Sequence, residues 1–563
     1  MHSRQQLTRG LVAVVLAMLA GVAPVPAAAA QVDASQVGHA LSATRGAGAR
    51  IVDDLGRTVI LRGVNVNGLG EYYQELPDLP STVPLTEDDF AQMAGLGFDV
   101  VRLIVSWSRL EPQSGVIDDA YLDRIAQTIG WARTHDIYVL LDMHQDAWGP
   151  FVFTPDGVTC PPPSEPAIGW DGAPAWATAL SGTIATCRIA IREASLAVAT
   201  SFQNFYLDVN GVQGHLVNVW ADLAGRFASD PAVAGYDLLN EPNPGLVAGV
   251  DDYALLGSFY SRALAAIRAG EGAGGGFTHI GFFEPSVITG PLSVPGPLPG
   301  FSADPDLVYA PHLYNESISI LPGTIEQGFA NAATAAATYG TAFFSGEWGW
   351  FGDPAADQSY IERYAANEDA NLVGGTWWQW KQACGDPHSI GSRGHRPSCA
   401  DTSPYSDGIV VRSRENTMVL DRAYPRAAPG TLTSISADVA SGGLVVTGNA
   451  DRDGVAADLW VPARCNTPTV TGTNIGAPVV VPTGGGARVS VPVPAAGGYR
   501  IAITCAGQPG AGDVAADNVV AITTGLPATG GRDGTRLPIA LALFAVALAG
   551  LALVRRHAVA DGI

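Results

Sequence analysis

Two glutamates stand out because each closes a short apolar run. Tyr236-Asp237-Leu238-Leu239-Asn240-Glu241-Pro242 breaks off at a proline, and Ala342-Phe343-Phe344-Ser345-Gly346-Glu347-Trp348 has the same form 106 positions later. Pro242 cannot donate to a strand ladder, so the first run reads as a buried parallel strand that delivers a carboxylate to its C-terminal mouth. Two carboxyl groups at two strand ends are the pair that glycoside hydrolysis requires. Other polar residues sit at comparable places. Arg102 follows Val100-Val101, and Asp142, His144 and Asp146 follow Tyr138–Leu141. His312 and Tyr314 follow Leu307–Ala310, and Trp380 follows Gly374–Trp378.

These positions need a scaffold that brings many strand ends to one face. The runs Val59–Asn65, Val100–Val105, Tyr138–Met143, Val233–Leu239, Ile280–Glu284, Leu307–Ala310, Ala342–Gly346 and Gly374–Trp378 are mostly continuous and apolar. That is the pattern of strands covered on both faces. Helical patterns lie between them, at Thr86–Gly95, Tyr121–Thr134, Leu216–Ala228 and Tyr253–Ala269, with Thr86 and Asp89 spaced as a capping box. Eight strands alternating with helices predict a (β/α)8 TIM barrel over residues 48–428, whose C-terminal strand ends form the active face. An open doubly wound sheet needs a glycine-rich phosphate turn after its first strand, and Val64-Asn65-Val66-Asn67-Gly68 is not one. Ile51–Asn65 reads as a hairpin turning at Asp54–Gly56 that runs straight into the first strand. Residues 430–523 turn to Thr, Val, Gly and Ala with regular turn signals, which predicts a small β-sandwich.

The chain has 563 residues and a net charge of −22, which disfavours nucleic acid as a partner. Lys381 is its single lysine. Six cysteines fall into the local pairs Cys160/Cys187, Cys384/Cys399 and Cys465/Cys505, without Cys-x-x-Cys or histidine ligand spacing. They predict disulfides in an exported protein, and neither a metal nor another cofactor is suggested. Residues 1–30 read as a signal peptide, with Arg4 and Arg9, an apolar core and Ala27–Ala30. At the other end stand Leu526-Pro527-Ala528-Thr529-Gly530, the apolar span Leu537–Val554 and Arg555-Arg556. This tripartite segment, 526–563, resembles the sortase sorting signal of Gram-positive surface proteins. The resemblance implies cleavage after Thr529, with sortase and cell-wall peptidoglycan as partners and an extracellular, wall-anchored location.

The polar residues together resemble glycoside hydrolase clan A, and family 5 within it. The family's Arg, His, Asn-Glu, His-x-Tyr, Glu and Trp are matched by Arg102, His144, Asn240-Glu241, His312-Leu313-Tyr314, Glu347 and Trp380. Leu141–Asp146 and Trp378–Gln382 make the chain similar to the endoglycosylceramidases of this family, which carry a C-terminal β-sandwich. The resemblance implies a retaining mechanism, with Glu347 as nucleophile and Glu241 as acid/base. Arg102 is then suited to lower the Glu347 pKa, and Tyr314 to orient its carboxylate. Glu241 is expected to have a raised pKa. Asn240 faces the sugar 2-OH, Trp380 forms the stacking floor, and Asp142, His144 and Asp146 bind hydroxyls. Trp176 and Lys381 are further candidates on the glycan side. Two loops are large for the fold: Gln145–His215, rich in aromatic residues, and Pro285–Phe301, apolar and rich in proline. An apolar loop beside a sugar site points to a lipid aglycone. A β-glucanase or mannanase is the enzymatic alternative, favoured by a long open cleft lined with tryptophan. A wall-anchored adhesin with an inactive barrel is the alternative of another class.

Overall fold

The structure, a computed structural model, describes residues 35–71, 82–178, 185–249, 251–287, 296–318, 323–350, 357–381, 392–393, 406–407 and 418–505. The expected signal peptide, the Cys384/Cys399 pair and the sorting segment lie outside them.

Parallel strands Arg62–Val66, Val100–Ser106, Tyr138–His144, Val233–Asp237, Ile280–Phe283 and Leu307–Tyr309 follow one another around a single sheet. The seventh barrel strand is split at Phe344 into Ala342–Phe343 and Ser345–Trp348, and Gly375–Trp377 is the eighth. Ala342 pairs with Val308 while Ser345 pairs with Gly375, so the two halves of one strand join both ends of the sheet and close it. This is the barrel the apolar runs predict. Strands two and three are buried along their whole length, because helices cover their outer faces and side chains fill the interior.

The helices begin where local chemistry satisfies their free N–H groups. Asp118 accepts from the backbone of Ala120 and Tyr121 at the start of Asp119–Thr134. Thr324 accepts from Gln327 N at the start of Ile325–Tyr339. At Glu87–Gly95 the expected capping pair forms, with the Thr86 N–H donating to Asp89 Oδ2 at 2.7 Å. Between barrel strands five and six the described residues contain no helix. Here lies the apolar Pro285–Phe301 loop, of which 288–295 fall outside the described residues, Leu292 and Val294 among them.

The remaining strands form two larger antiparallel sheets, one of seven strands and one of four. The four-stranded sheet is built from Thr431–Asp438, Gly443–Ala450, Gly497–Cys505 and Pro468–Thr473. Leu432, Val446 and Ile501 from it share one apolar cluster with Leu459, Val461 and Val491 of the seven-stranded sheet. The N-terminal hairpin forms as expected, with Ile51–Asp53 and Arg57–Val59 on either side of the turn at Asp54–Gly56, but the first barrel strand begins at Arg62 and not at Val59, because Arg57–Val59 also pairs with Tyr424–Pro429. Arg57 and Thr58 are buried by that pairing, where Thr58 Oγ1 donates to Gly430 O and Arg57 is held by Asp53 at 2.6 Å. Cys160–Cys187 and Cys465–Cys505 are bonded as the local pairing predicts.

Candidate active site

Arg102 organises the mouth of the barrel. Its strand carries it to the interior, where it is fully buried and all three guanidinium nitrogens are engaged. Nε donates to Asp237 Oδ2 at 2.8 Å. Nη1 donates to Asn65 Oδ1 at 3.1 Å and to Glu347 Oε1 at 2.8 Å. Nη2 donates to Asn240 Oδ1 at 3.0 Å and to Glu284 Oε1 at 2.9 Å, and lies 3.0 Å from Asp142 Oδ1. An isolated charge at this depth is very costly, so the ring of carboxylates is what permits the arginine there. The cation conversely draws Asp142, Asp237 and Glu284 together, a set close enough to hold a metal but filled here by the guanidinium.

Glu241, Glu347 and His312 meet above it. Each offers an atom within 4.8 Å of the others, so the two carboxyl groups face one another across the mouth. Glu347 is anchored at both oxygens, by Arg102 and by the Tyr314 hydroxyl at 3.0 Å. Glu241 is held differently. Its Oε1 lies 3.0 Å from His312 Nδ1 and its Oε2 accepts from Arg192 Nη2 at 3.0 Å. Gly346 leaves room for His312, since a Cβ there would lie 3.1 Å from His312 Nε2 and press on the ring. Glu241 has φ 38°, left-handed for a non-glycine residue. Gln145 Nε2 steadies this turn by donating to the carbonyls of Asn240 and Glu241.

The electrostatics of the pair differ from the expectation. Burial opposes ionisation of Glu241, but the His312 hydrogen bond and charge, with Arg192, hold it down to about 2. Burial pushes Glu347 up, against the pull of His312 and Arg102 and with a push from Glu241. Arg102 thus acts on Glu347 in the expected sense without winning. The cause of the reversal is chiefly His312, with Arg192, a residue no motif placed beside Glu241, adding to it. Burial would lower the His312 pKa, yet Glu284, Glu347 and Glu241 raise it well above the usual range.

His144 Nδ1–H donates to Asp142 Oδ2 at 2.6 Å, and the ring stacks on Trp378, with ring centroids 5.5 Å apart. Burial opposes its charge, but Asp142 and Asp171 raise its pKa well above the usual value. Asp146 lies 2.6 Å from Arg192 Nη2, and Arg192 packs over the Trp170 ring at 4.7 Å and pairs with Glu193. Asn240 donates to the Gln145 carbonyl at 3.0 Å while accepting from Arg102, so its amide is fixed.

Three expected residues lie elsewhere. Trp380 is fully buried with its indole N–H on Asp89 Oδ1 at 3.0 Å, and Lys381 is buried against the same carboxylate at 2.8 Å. The eighth strand stops at Trp377, and Trp380 N already bonds Asn65 O, so the chain has folded back over strand one. Trp378, the first residue past the strand, is the tryptophan at the mouth. Trp176 donates to the Glu111 carbonyl at 3.0 Å and packs edge-on against Trp107 at 5.4 Å, away from the carboxylate pair. Glu284, Asn65, Asp237 and Arg192 join the site unforeseen. Glu284 carried a signal, since Phe283-Glu284-Pro285 repeats the ending of Asn240-Glu241-Pro242.

A cavity of about 580 Å3 opens from this centre. Around the carboxylates it is lined by His144, Asp146, Trp170, Arg192 and Trp378. It continues along helix Ile325–Tyr339, where Gly328, Ala332, Ala335 and Thr338 line it, with Leu313 and Val287 beside them. Ten residues of helix correspond to about 15 Å of length. Aromatic residues of the Gln145–His215 loop mostly pack together. Trp148 stands edge-on to Phe202 at 5.1 Å and tilted to Phe205 at 5.5 Å.

A closed parallel barrel with this carboxylate pair at its C-terminal mouth defines a glycoside hydrolase of the barrel type. The family described as Cellulase (glycosyl hydrolase family 5) matches residues 52–384, and the chain belongs to that family. A crystal structure of an endogalactoceramidase is 43% identical, with a TM-score of 0.73, covering 83% of this chain and 99% of that one. Endo-glycoceramidase II from Rhodococcus sp. is 26% identical, with a TM-score of 0.63, covering 81% and 99%; it has been solved as a lactosyl-enzyme intermediate and with ganglioside GM3. Endoglycoceramidase I of Rhodococcus hoagii (strain 103S) is 32% identical over 211 residues, 35% of this chain and 36% of that protein. The matches to that protein and to the Hydra vulgaris endoglycoceramidase span 36% and 45% of their lengths.

Proposed function

We propose that this chain is a retaining endoglycosylceramidase, which hydrolyses the bond between the glycan and the ceramide of glycosphingolipids. The observation that carries the reading is the shape of the cavity. A charged, hydroxyl-binding centre passes directly into a groove along helix Ile325–Tyr339, where Ala332, Ala335, Leu313, Ile318 and Val287 give it apolar walls between the polar side chains of Asn331, Thr334 and Thr338. Such a slot suits a molecule that is sugar at one end and alkyl chain at the other. A polysaccharide reading asks for an open cleft lined with tryptophan; here Trp107, Trp148 and Trp176 are spent on one another and on the loop. A binding-only barrel has no use for a paired acid and nucleophile.

In this reading Glu347, fixed by Arg102 and Tyr314, is the nucleophile; Glu241 protonates the departing ceramide oxygen as the glycosyl-enzyme forms, and then takes a proton from the water that releases the sugar and frees Glu347. A sugar that engages Asp146 and Glu241 has to displace Arg192, whose Nη2 bridges both. That displacement removes one of the cations holding Glu241 ionised. His144 and Asp142 bind hydroxyls of the sugar, and Trp378 supplies the stacking surface. The test is product analysis on glucosylated and galactosylated ceramides beside soluble β-glucans. Ceramide release supports the reading, and glucan cleavage without ceramide release overturns it.

We also propose that the protein is exported and joined to the wall through Thr529, on the strength of the sequence of residues 1–30 and 526–563. A chain ending after Leu526 then appears as active enzyme in the medium. Full-length protein in the medium with Leu537–Val554 intact refutes this.

A further inference from the structure

Glu284 follows barrel strand five, is almost wholly buried, and touches three parts of the catalytic centre: Arg102, His312 and the backbone of Glu241. Its Oε1 accepts from Arg102 Nη2 at 2.9 Å and lies 3.1 Å from His312 Nε2. Its Oε2 accepts the backbone N–H of Glu241 at 2.8 Å. His312 in turn presents Nδ1 to Glu241 Oε1 at 3.0 Å and to Glu347 Oε2 at 3.5 Å. Both nitrogens of this imidazole therefore lie close to carboxylates, whose charges favour the imidazolium. Glu284 also caps the N–H of the residue whose backbone is left-handed, so it holds Glu241 from behind while His312 holds it from in front.

We propose that Glu284 is a positioning residue for the acid/base. Through the Glu241 backbone it fixes where that carboxyl group sits, and through His312 Nε2 it keeps a protonated imidazole between the catalytic pair. The inference rests on the reading of Glu241 as acid/base. The charged groups around the trio come from several elements: Arg102 on strand two, His144 on strand three, Arg192 and Glu193 from the long loop, and Glu347 on strand seven.

The experiment uses Glu284→Gln, which keeps the shape of the side chain and an acceptor for the Glu241 N–H, and removes the charge. The probes are aryl and alkyl β-glycosides of one glycone, differing only in the leaving group. A good leaving group such as dinitrophenol needs little protonation, and a poor one needs it fully. Loss of acid/base positioning predicts that kcat/KM for the poor leaving group falls on the order of tenfold to a hundredfold. The same ratio for dinitrophenyl glycoside stays nearly unchanged. Equal losses on both overturn the proposal, since they place the effect of Glu284 on Arg102 and Glu347 or on the fold. Glu241→Ala is measured beside it. If that variant lacks the leaving-group pattern, the acid/base assignment fails, a result distinct from failure of Glu284 alone. Should Glu284→Gln not fold, 15N-histidine NMR of the unaltered chain decides, with His312 assigned by His312→Asn. An imidazole protonated on both nitrogens above about pH 8 supports the proposal, and a neutral His312 there overturns it.

Discussion

Ala335→Phe tests whether the groove along helix Ile325–Tyr339 holds the lipid. Ala335 is half-buried and lines the cavity, so a phenyl group there takes up space in the groove. Each methylene excluded from an apolar site costs about 0.8 kcal/mol. If the ring shuts out roughly four of them, transition-state stabilisation falls by about 3 kcal/mol, which is about a hundredfold in kcat/KM. The assay sets a glycosylceramide in detergent against a dinitrophenyl glycoside of the same glycan. The lipid substrate loses activity and the aryl substrate keeps it, because the carboxylate pair, Arg102 and His312 are untouched. The thermal midpoint stays close to that of the unaltered protein. Equal losses on the two substrates, or full activity on the lipid, refute the placement of the alkyl chains.

Further outcomes follow from the same geometry. Glu347→Gln abolishes turnover and covalent labelling by an activated fluorosugar, whereas Glu241→Ala loses activity that azide partly restores as β-glycosyl azide. A label found by peptide mapping on Glu241 instead reverses the two roles. Each loss is at least the 10²–10⁴-fold, or roughly 3–5 kcal/mol, that general acid–base catalysis supplies. Arg192→Gln removes a cation from Glu241 and raises its pKa from about 2, so the acidic limb of the kcat/KM profile, set by the lower carboxyl pKa of the free enzyme, moves to higher pH; an unmoved limb rules out Arg192 as a determinant of Glu241 ionisation. Burial pushes Asp99 up to about 7 against Arg426 and the Arg62 N–H. A carboxyl group raised on folding stabilises below its unfolded pKa and loses that contribution as pH rises through about 7. Asp99→Asn therefore flattens the decline in thermal midpoint between about pH 4 and 7, and an unchanged slope counts against the assignment.

Much of this site was legible because strand ends in a barrel converge whatever the sequence between them. A run such as Val233–Asp237 states its own burial, and the polar residue at its end has nowhere to go but the mouth. The tryptophan was misplaced by two positions, since Trp377-Trp378-Gln379-Trp380 offers three candidates and only the register of Trp377 on Val64 decides among them. Glu284 was legible in form but lacked a partner in the pattern. Arg192 was not legible at all: it lies in an irregular loop, and its contacts depend on how that loop folds over Glu241. The pairing of Arg57–Val59 with Tyr424–Pro429 spans more than three hundred residues, and nothing local in the hairpin names so distant a partner.

The central claim is that the bond cut is the one joining the glycan to the ceramide. Lactosylceramide puts it to the test most directly, with products identified by mass spectrometry and the first-formed anomer read by NMR. The account predicts intact lactose, released first as the β-anomer, and free ceramide. Galactose with glucosylceramide, or lactose released first as the α-anomer, contradicts it.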